Sequence, residues 1–181
     1  MEKFADKNTM LSWINSQNLD RKTSEKFARE VNSWSSNQNI KTYITTGPLD
    51  DFLNSMVTKS SKTHPYGETL YYCFENDKLV GAVLLGNASL VPENYSIDYI
   101  VVNPNFHSNG IGTRMIKSIV SNPNYFNNFT LPKIYNAHVA QSNVASCRAF
   151  LKSKFSMVKP TKGHYPQYYT FYSKPQNTKT R

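Results

Sequence analysis

His107-Ser108-Asn109-Gly110-Ile111-Gly112-Thr113 is the stretch of this chain whose residue types and spacing suit chemistry. Two glycines separated by one residue stand where a polar loop gives way to a helical pattern. In that pattern Ile111, Met115 and Ile119, flanked by Ile116 and Val120, form one apolar side and leave Thr113, Arg114 and Lys117 elsewhere. The start of such a helix presents backbone N–H groups without intrahelical partners at the positive end of the macrodipole, a place where phosphate oxygens are stabilised. Glycine at 110 and 112 lets those oxygens approach. A side chain at either position would put a Cβ where the phosphate belongs, or exclude a backbone conformation that only glycine reaches cheaply. A Gly-x-Gly pair by itself also makes ordinary tight turns. Two common nucleotide loops are excluded: a dinucleotide fingerprint needs a third glycine and opens a βαβ unit, and a Walker loop needs Gly-Lys-Ser/Thr before its helix.

A strand must deliver this loop and a helix must carry it away. Tyr95 to Val102 reads as that strand, and Gly110 to Ser121 as the helix. Upstream, Leu70 to Glu75, the polar Asn76-Asp77-Lys78 turn and Leu79 to Leu85 read as an antiparallel hairpin. Downstream, Lys133 to Val139 reads as strand, Asn143 to Phe155 as helix and Tyr168 to Tyr172 as a last strand. The first third reads as helical, with Met10, Leu11 and Ile14, then Phe27, Val31 and Trp34, at three- or four-residue spacing. Ile40 to Thr46 alternates as a strand that Gly47-Pro48 breaks. Asp50 or Asp51 then caps a helix carrying Phe52, Leu53 and Met56, and Lys59 to Gly67 is a loop. The sum is an α/β (α+β) unit: a mixed, mostly antiparallel central sheet of six to seven strands with helices on both faces. No repeat or low-complexity linker divides it, and 181 residues suit one domain over 1–181.

Val102-Asn103-Pro104 followed by His107-Ser-Asn-Gly110-Ile-Gly112 resembles strand 4 and the Gln/Arg-x-x-Gly-x-Gly/Ala pyrophosphate loop of the GNAT superfamily of acyl-CoA-dependent N-acetyltransferases. Val139-Ala-Gln-Ser-Asn143-Val-Ala-Ser146 and Phe150-Leu-Lys-Ser-Lys-Phe155 are similar to the family's Val-x-x-x-Asn strand end and the helix that finishes Tyr-x-x-x-Gly-Phe. The likeness runs from Tyr71 onward. It leaves the N-terminal third unmatched in detail, and the chain then divides into the mostly helical part over 1–68, an acyl-CoA-binding core over 69–174 and a basic tail over 175–181. It further implies that Ile100, Val101 and Val102, the loop residues His107, Ser108, Asn109, Gly110, Ile111, Gly112 and Thr113, and then Asn143, Ser146 and Phe150 surround the coenzyme, with Asn143 on the side opposite the strand. Three positions depart from the family pattern. His107 replaces Gln or Arg, Lys154 replaces Gly before Phe155, and Phe150 stands where many members carry a proton-donating Tyr.

The reaction implied is direct attack of an amine on an acetyl thioester, with acetyl-CoA as cosubstrate, no metal, and acceleration by positioning. A strand bulge would let backbone groups near Ile100 to Val102 hold the pantetheine arm and polarise the thioester carbonyl. Asp98 is the candidate base, placed by period-two alternation on one face with Ile100 and Val102; binding the ammonium group, or leaving the base to an ordered water, are its rival readings. His138 on the neighbouring strand is a second base candidate, against a hydrogen-bonded structural role. Tyr99, Tyr165, Tyr168 and Tyr169 carry hydroxyls suited to the acid, against packing roles. A thiolate with a pKa of about 8.5 also leaves without an acid.

The formal charge of +9 draws polyanions to the surface, including a phosphorylated cosubstrate, anionic lipid or nucleic acid. The basic residues are dispersed, with one run from Lys174 to Arg181, so no nucleic-acid footprint stands out. Cys73 and Cys147 fall in strand and helix at no metal-ligand spacing and read as buried thiols. The Met1-Glu2-Lys3 start precedes no apolar run, and nothing approaches the roughly 18 apolar residues of a spanning helix, so a cytoplasmic location without membrane association is expected. Sequons at Asn87, Asn94 and Asn128 then carry no meaning. Expected acceptors are a small-molecule or protein amine, and the assembly a monomer or homodimer. The alternatives are a basic acetyltransferase acting on charged tRNA and a non-catalytic acyl-CoA sensor, the latter suggested by Phe150.

Overall fold

The computed structural model describes residues 3–34, 69–87, 94–126, 134–160 and 168–173. The strand and helix expected within 40–56, the 59–67 loop, Tyr165, Asn128 and the basic tail lie outside the described residues.

The chain begins with a hairpin of β1 (Phe4–Asp6) and β2 (Leu11–Asn15), where a helical stripe through Met10, Leu11 and Ile14 was expected. The period misleads because both faces of the sheet are covered: Leu11 and Trp13 enter one core, Ile14 enters the other, and Met10 is 73% exposed in the turn. Buried Asp6 closes that turn by accepting from Thr9 Oγ1 at 2.8 Å and Asn8 N at 3.0 Å. Helix α1 (Arg21–Trp34) follows, started by Asp20 accepting from Thr23 N at 2.9 Å. Its Val31 and Trp34 are buried and Phe27 packs beside them.

Strands β3 (Thr69–Glu75) and β4 (Lys78–Asn87) form the next hairpin. Asn76 and Asp77 both take positive φ there, which matches the twist of the flanking strands. Then come β5 (Asn94–Val102), α2 (Ile111–Ser121), the single turn α3 (Pro123–Phe126), β6 (Ile134–Ala140), α4 (Val144–Lys152), β7 (Ser156–Val158) and β8 (Tyr168–Ser173). The sheet order is β1-β2-β3-β4-β5-β6-β8-β7, every pair antiparallel except β5 with β6. The described residues thus hold eight strands rather than six or seven; β1, β2 and β7 are the three not expected, and one expected strand falls outside the described residues.

Helices cover both faces. Ile111, Met115, Ile116, Ile119 and Val120 of α2 join Cys147 and Phe150 of α4 against one face, while α1 covers the other. Each large apolar side chain so buried contributes about 1.5–3 kcal/mol against the entropy of ordering it. Directed bonds fix where α2 lies. Trp13 Nε1 donates to Ser118 Oγ at 2.9 Å, Tyr135 Oη to Ile119 O at 3.3 Å, and Arg114 Nη1 to Thr9 O at 3.1 Å and to Glu75. The start of α2 is thereby held against the sheet end from which the 103–110 loop arrives.

Candidate functional site

Asn103 anchors the loop. Its N donates to Val80 O at 2.9 Å and its Nδ2 to Leu79 O at 3.3 Å, while its Oδ1 accepts from Asn105 N at 3.0 Å. A 3-10 turn over Pro104–Phe106 follows, and the His107 ring lies with Nε2 3.0 Å from Val102 O. The His107 side chain is therefore tied to the end of β5.

Ser108 (φ 66) and Gly110 (φ 71) are left-handed, and alternation of left- and right-handed residues is the kind of backbone that can turn successive amides toward an anion. Gly110 is the N-cap of α2 and offers no side-chain cap bond; the first helical bond is Arg114 N to Gly110 O at 3.0 Å. The amides from Ser108 to Thr113 consequently have no acceptor among the described residues, the condition an anion fits. A Cβ at Gly110 would meet nothing within 4 Å and one at Gly112 would meet Val102 Cγ2 at 3.6 Å. The two glycines differ, then. Gly110 supplies the positive φ and an open approach, whereas the bare side of Gly112 faces the end of β5 and takes ordinary backbone angles.

Next to this loop the sheet parts. β5 and β6 pair only over Asn94↔Ile134, Tyr95↔Tyr135 and Ser96↔Asn136, although the strands run on to Val102 and Ala140. On its other side β5 carries a bulge, since Leu84 pairs with Tyr99 and Leu85 with Ile97, leaving Asp98 opposite no residue. The bulge exchanges faces. Tyr95 and Ile97 lie on the α2 side before it, as do Ile100 and Val102 after it, while Tyr99 and Val101 turn to the α1 side. The strict alternation that grouped Asp98 with Ile100 and Val102 is corrected here: the Asp98 carboxylate lies beside Ser96 and over Gly86, on the α1 side.

His138 alternates with the buried Ala137 and Val139 and so shares that α1 side, with Nδ1 3.3 Å from Thr170 Oγ1. Tyr168 and Tyr172, paired with Ala140 and Asn136, stand on the same face; Tyr169 packs with the opposite core. Asp98 keeps an exposed edge, yet burial against the sheet pushes its carboxyl above the ordinary aspartate range, opposed by the Ser96 hydroxyl and the charge of His138. The two base candidates therefore flank the parting of β5 from β6 on one face. Gly86, Ser96, Asn136 and Thr170 were missed by sequence reasoning. A glycine inside a strand is the signal that could have found Gly86.

Beyond β6, Asn143 caps α4 by accepting from Ser146 N at 3.1 Å, so both residues are engaged in starting that helix. Phe150 is corrected from a coenzyme contact to a core residue: it is 2% exposed, stacked on Phe171 at 5.3 Å and edge-on to Phe155 at 5.0 Å. Helix α4 ends in a Schellman motif, with Phe155 N bonded to Phe150 O, Lys154 N to Leu151 O, and Lys154 in the left-handed region at φ 66. Among the described residues no three His, Cys, Asp or Glu side chains gather as metal ligands.

The family model for the Acetyltransferase (GNAT) family matches residues 29–155. Among solved structures, the chain is similar to spermidine N-acetyltransferase from Vibrio cholerae in complex with CoA and spermine, with a TM-score of 0.68 and 17% identity over 93% of this chain and 97% of that one. It is also similar to the Campylobacter jejuni N-acetyltransferase PseH in complex with acetyl coenzyme A, with a TM-score of 0.63 and 13% identity over 92% of this chain and 99% of that one. No curated protein matches the chain.

Proposed function

The chain belongs to the GNAT family of acetyltransferases, and on that premise we propose that it transfers an acetyl group from acetyl-CoA to a primary amine by direct attack, both substrates being held together. The observation that carries this reading is the parting of β5 from β6 beside an uncapped helix start. Acetyl-CoA supplies the thioester electrophile. The amides of Ser108 to Thr113 are suited to its pyrophosphate, and the β5 edge from Ile100 to Val102, no longer paired to β6, is suited to the amide arm. Asn143 and Ser146, at the start of α4 just beyond β6, are the contacts proposed for the opposite side.

On the α1 face, Asp98 and His138 are the groups that orient the amine and take its proton. Desolvation favours Asp98 for this, because an ordinary carboxylate is too weak a base near neutral pH and a raised pKa brings it closer. Phe150 donates no proton. A thiolate with a pKa of about 8.5 leaves without one, and of the tyrosines expected to carry the acid Tyr99 and Tyr168 are on the acceptor face. Phe150 also gives little support to a non-catalytic sensor, since its ring fills the core.

A small amine is the favoured acceptor class. The spermine bound by the Vibrio cholerae neighbour is the precedent in a related fold, and the acceptor face here combines the Asp98 carboxylate with hydroxyl and imidazole groups. We place the reaction in the cytoplasm and in one domain; no described helix is long and apolar enough to cross a membrane. The test is thiol release from acetyl-CoA with spermine, glucosamine and a lysine peptide as acceptors. Amine-dependent release by the native chain supports the proposal. Release that no amine accelerates, despite tight acetyl-CoA binding, contradicts it.

A further inference from the structure

Gly86 lies inside β4 and pairs with Ser96 of β5. Glycine in a strand interior weakens it and marks a place where something approaches closely. A Cβ built at Gly86 would overlap Asp98 Oδ2 and come within 2.9 Å of Ser96 Oγ and 3.3 Å of Asp98 Cγ. All three atoms belong to side chains: those of Asp98, the bulged residue, and of Ser96, the ladder partner of Gly86. Gly81 in the same strand is different: a Cβ there meets Met115 Sδ at 2.6 Å and the backbone oxygen Val101 O at 2.8 Å. Gly81 serves close packing, whereas the space above Gly86 is filled by a carboxylate.

We propose that Gly86 is a positioning residue of the acceptor site: its missing side chain is the seat that holds the Asp98 carboxylate down against Ser96 on the face it shares with His138. The inference rests on the acetyltransferase reading for its meaning in turnover. The bulge frees Asp98 from a ladder partner and gives its short side chain no strand neighbour to define its direction. The empty volume at Gly86 supplies that definition, together with the Ser96 hydroxyl, whose Oγ is also 3.3 Å from Gly86 O. Filling the seat rotates the carboxylate outward and leaves the backbone in place, because the displaced atoms are the ends of rotatable side chains and Gly86 does not have a positive φ. The amine this site takes is cationic before attack, a ligand whose placement depends on where that one carboxylate stands.

The test compares Gly86→Ala, Asp98→Asn and the double variant. Gly86→Ala is expected to keep its circular dichroism and its acetyl-CoA affinity, and to lose about 10–100-fold in kcat/KM for spermine, the cost of misplacing a group by about an ångström. In the Asp98→Asn background the same alanine should change kcat/KM by less than about twofold, because the effect runs through the carboxylate. A second readout needs no substrate: carbon NMR titration of the Asp98 carboxyl, with His138 followed as the charged group facing it, should show its pKa falling toward the ordinary value in Gly86→Ala. An equal loss in both backgrounds, an unmoved Asp98 titration, or loss of the fold in Gly86→Ala overturns the proposal. Failure of the native chain to bind acetyl-CoA or accept an amine overturns the acetyltransferase reading instead, and the carboxyl titration still decides the seat.

Discussion

Asp98 sits where burial works against its charge, and that has a measurable consequence. Its folded pKa is raised above the ordinary 3.8, so between the two values the folded chain binds the proton more tightly than the unfolded chain does. Stability contributed by the protonated carboxyl is thus present at low pH and declines as pH climbs through this window, then stays level. Asp98→Asn should remove that decline and be at least as stable as the native chain at neutral pH, while kcat/KM for an amine falls by about 10²-fold or more. Thermal midpoints from acidic to neutral pH, beside amine-dependent thiol release, check both halves. A variant that lost stability and activity together would instead mark Asp98 as structural. Residue type, spacing and strand alternation put forward Asp98, His138 and the glycine loop as candidates. The shared face of Asp98 and His138 was not legible, because a bulge shifts the side-chain period by one and nothing local announces it.

Among the elements, α4 and β2 make separable demands. Lys154 ends α4 in a left-handed conformation that L side chains adopt at a cost of roughly 1–2 kcal/mol. Lys154→Gly should therefore raise stability by about 1 kcal/mol in denaturant unfolding, with the Phe150–Phe155 contact intact. Trp13→Phe removes the donor to Ser118 Oγ and leaves that fully buried hydroxyl without it, for a loss of about 1–3 kcal/mol. Because Ser118 lies on α2, the same variant tests whether the N-terminal hairpin supports the helix behind the anion loop. The hairpin β3–β4, the strand β5 and helix α2 were legible because apolar runs of strand or helix length are bounded there by clear turn signals. The N-terminal hairpin was not, since strands buried on both faces lose their alternation and Leu11 and Ile14 then imitate a helix.

Taken whole, the molecule joins a chain of formal charge +9 to a cradle for a polyanionic cosubstrate. Part of the attraction is long-ranged and screened within about 10 Å at 0.1 M salt. Acetyl-CoA association should slow as ionic strength rises, while the dissociation rate, set by local contacts, changes less; stopped-flow binding at several salt concentrations separates the two. The sheet order suits the proposed two-substrate site: among the described strands β5 and β6 are the parallel pair, and they start together and diverge, exposing an edge to the loop side and a polar surface to the α1 side. The central claim is that the loop from His107 to Thr113 receives the pyrophosphate of acetyl-CoA. Calorimetric titration of acetyl-CoA into the native chain and into Gly112→Trp, with circular dichroism confirming that both are folded, tests it most directly. Gly112 has room for little more than a methyl group against Val102, so an indole there must crowd the loop. Saturable binding by the native chain and none by the folded variant is the expected outcome. No binding by the native chain, or equal binding by both, would contradict it.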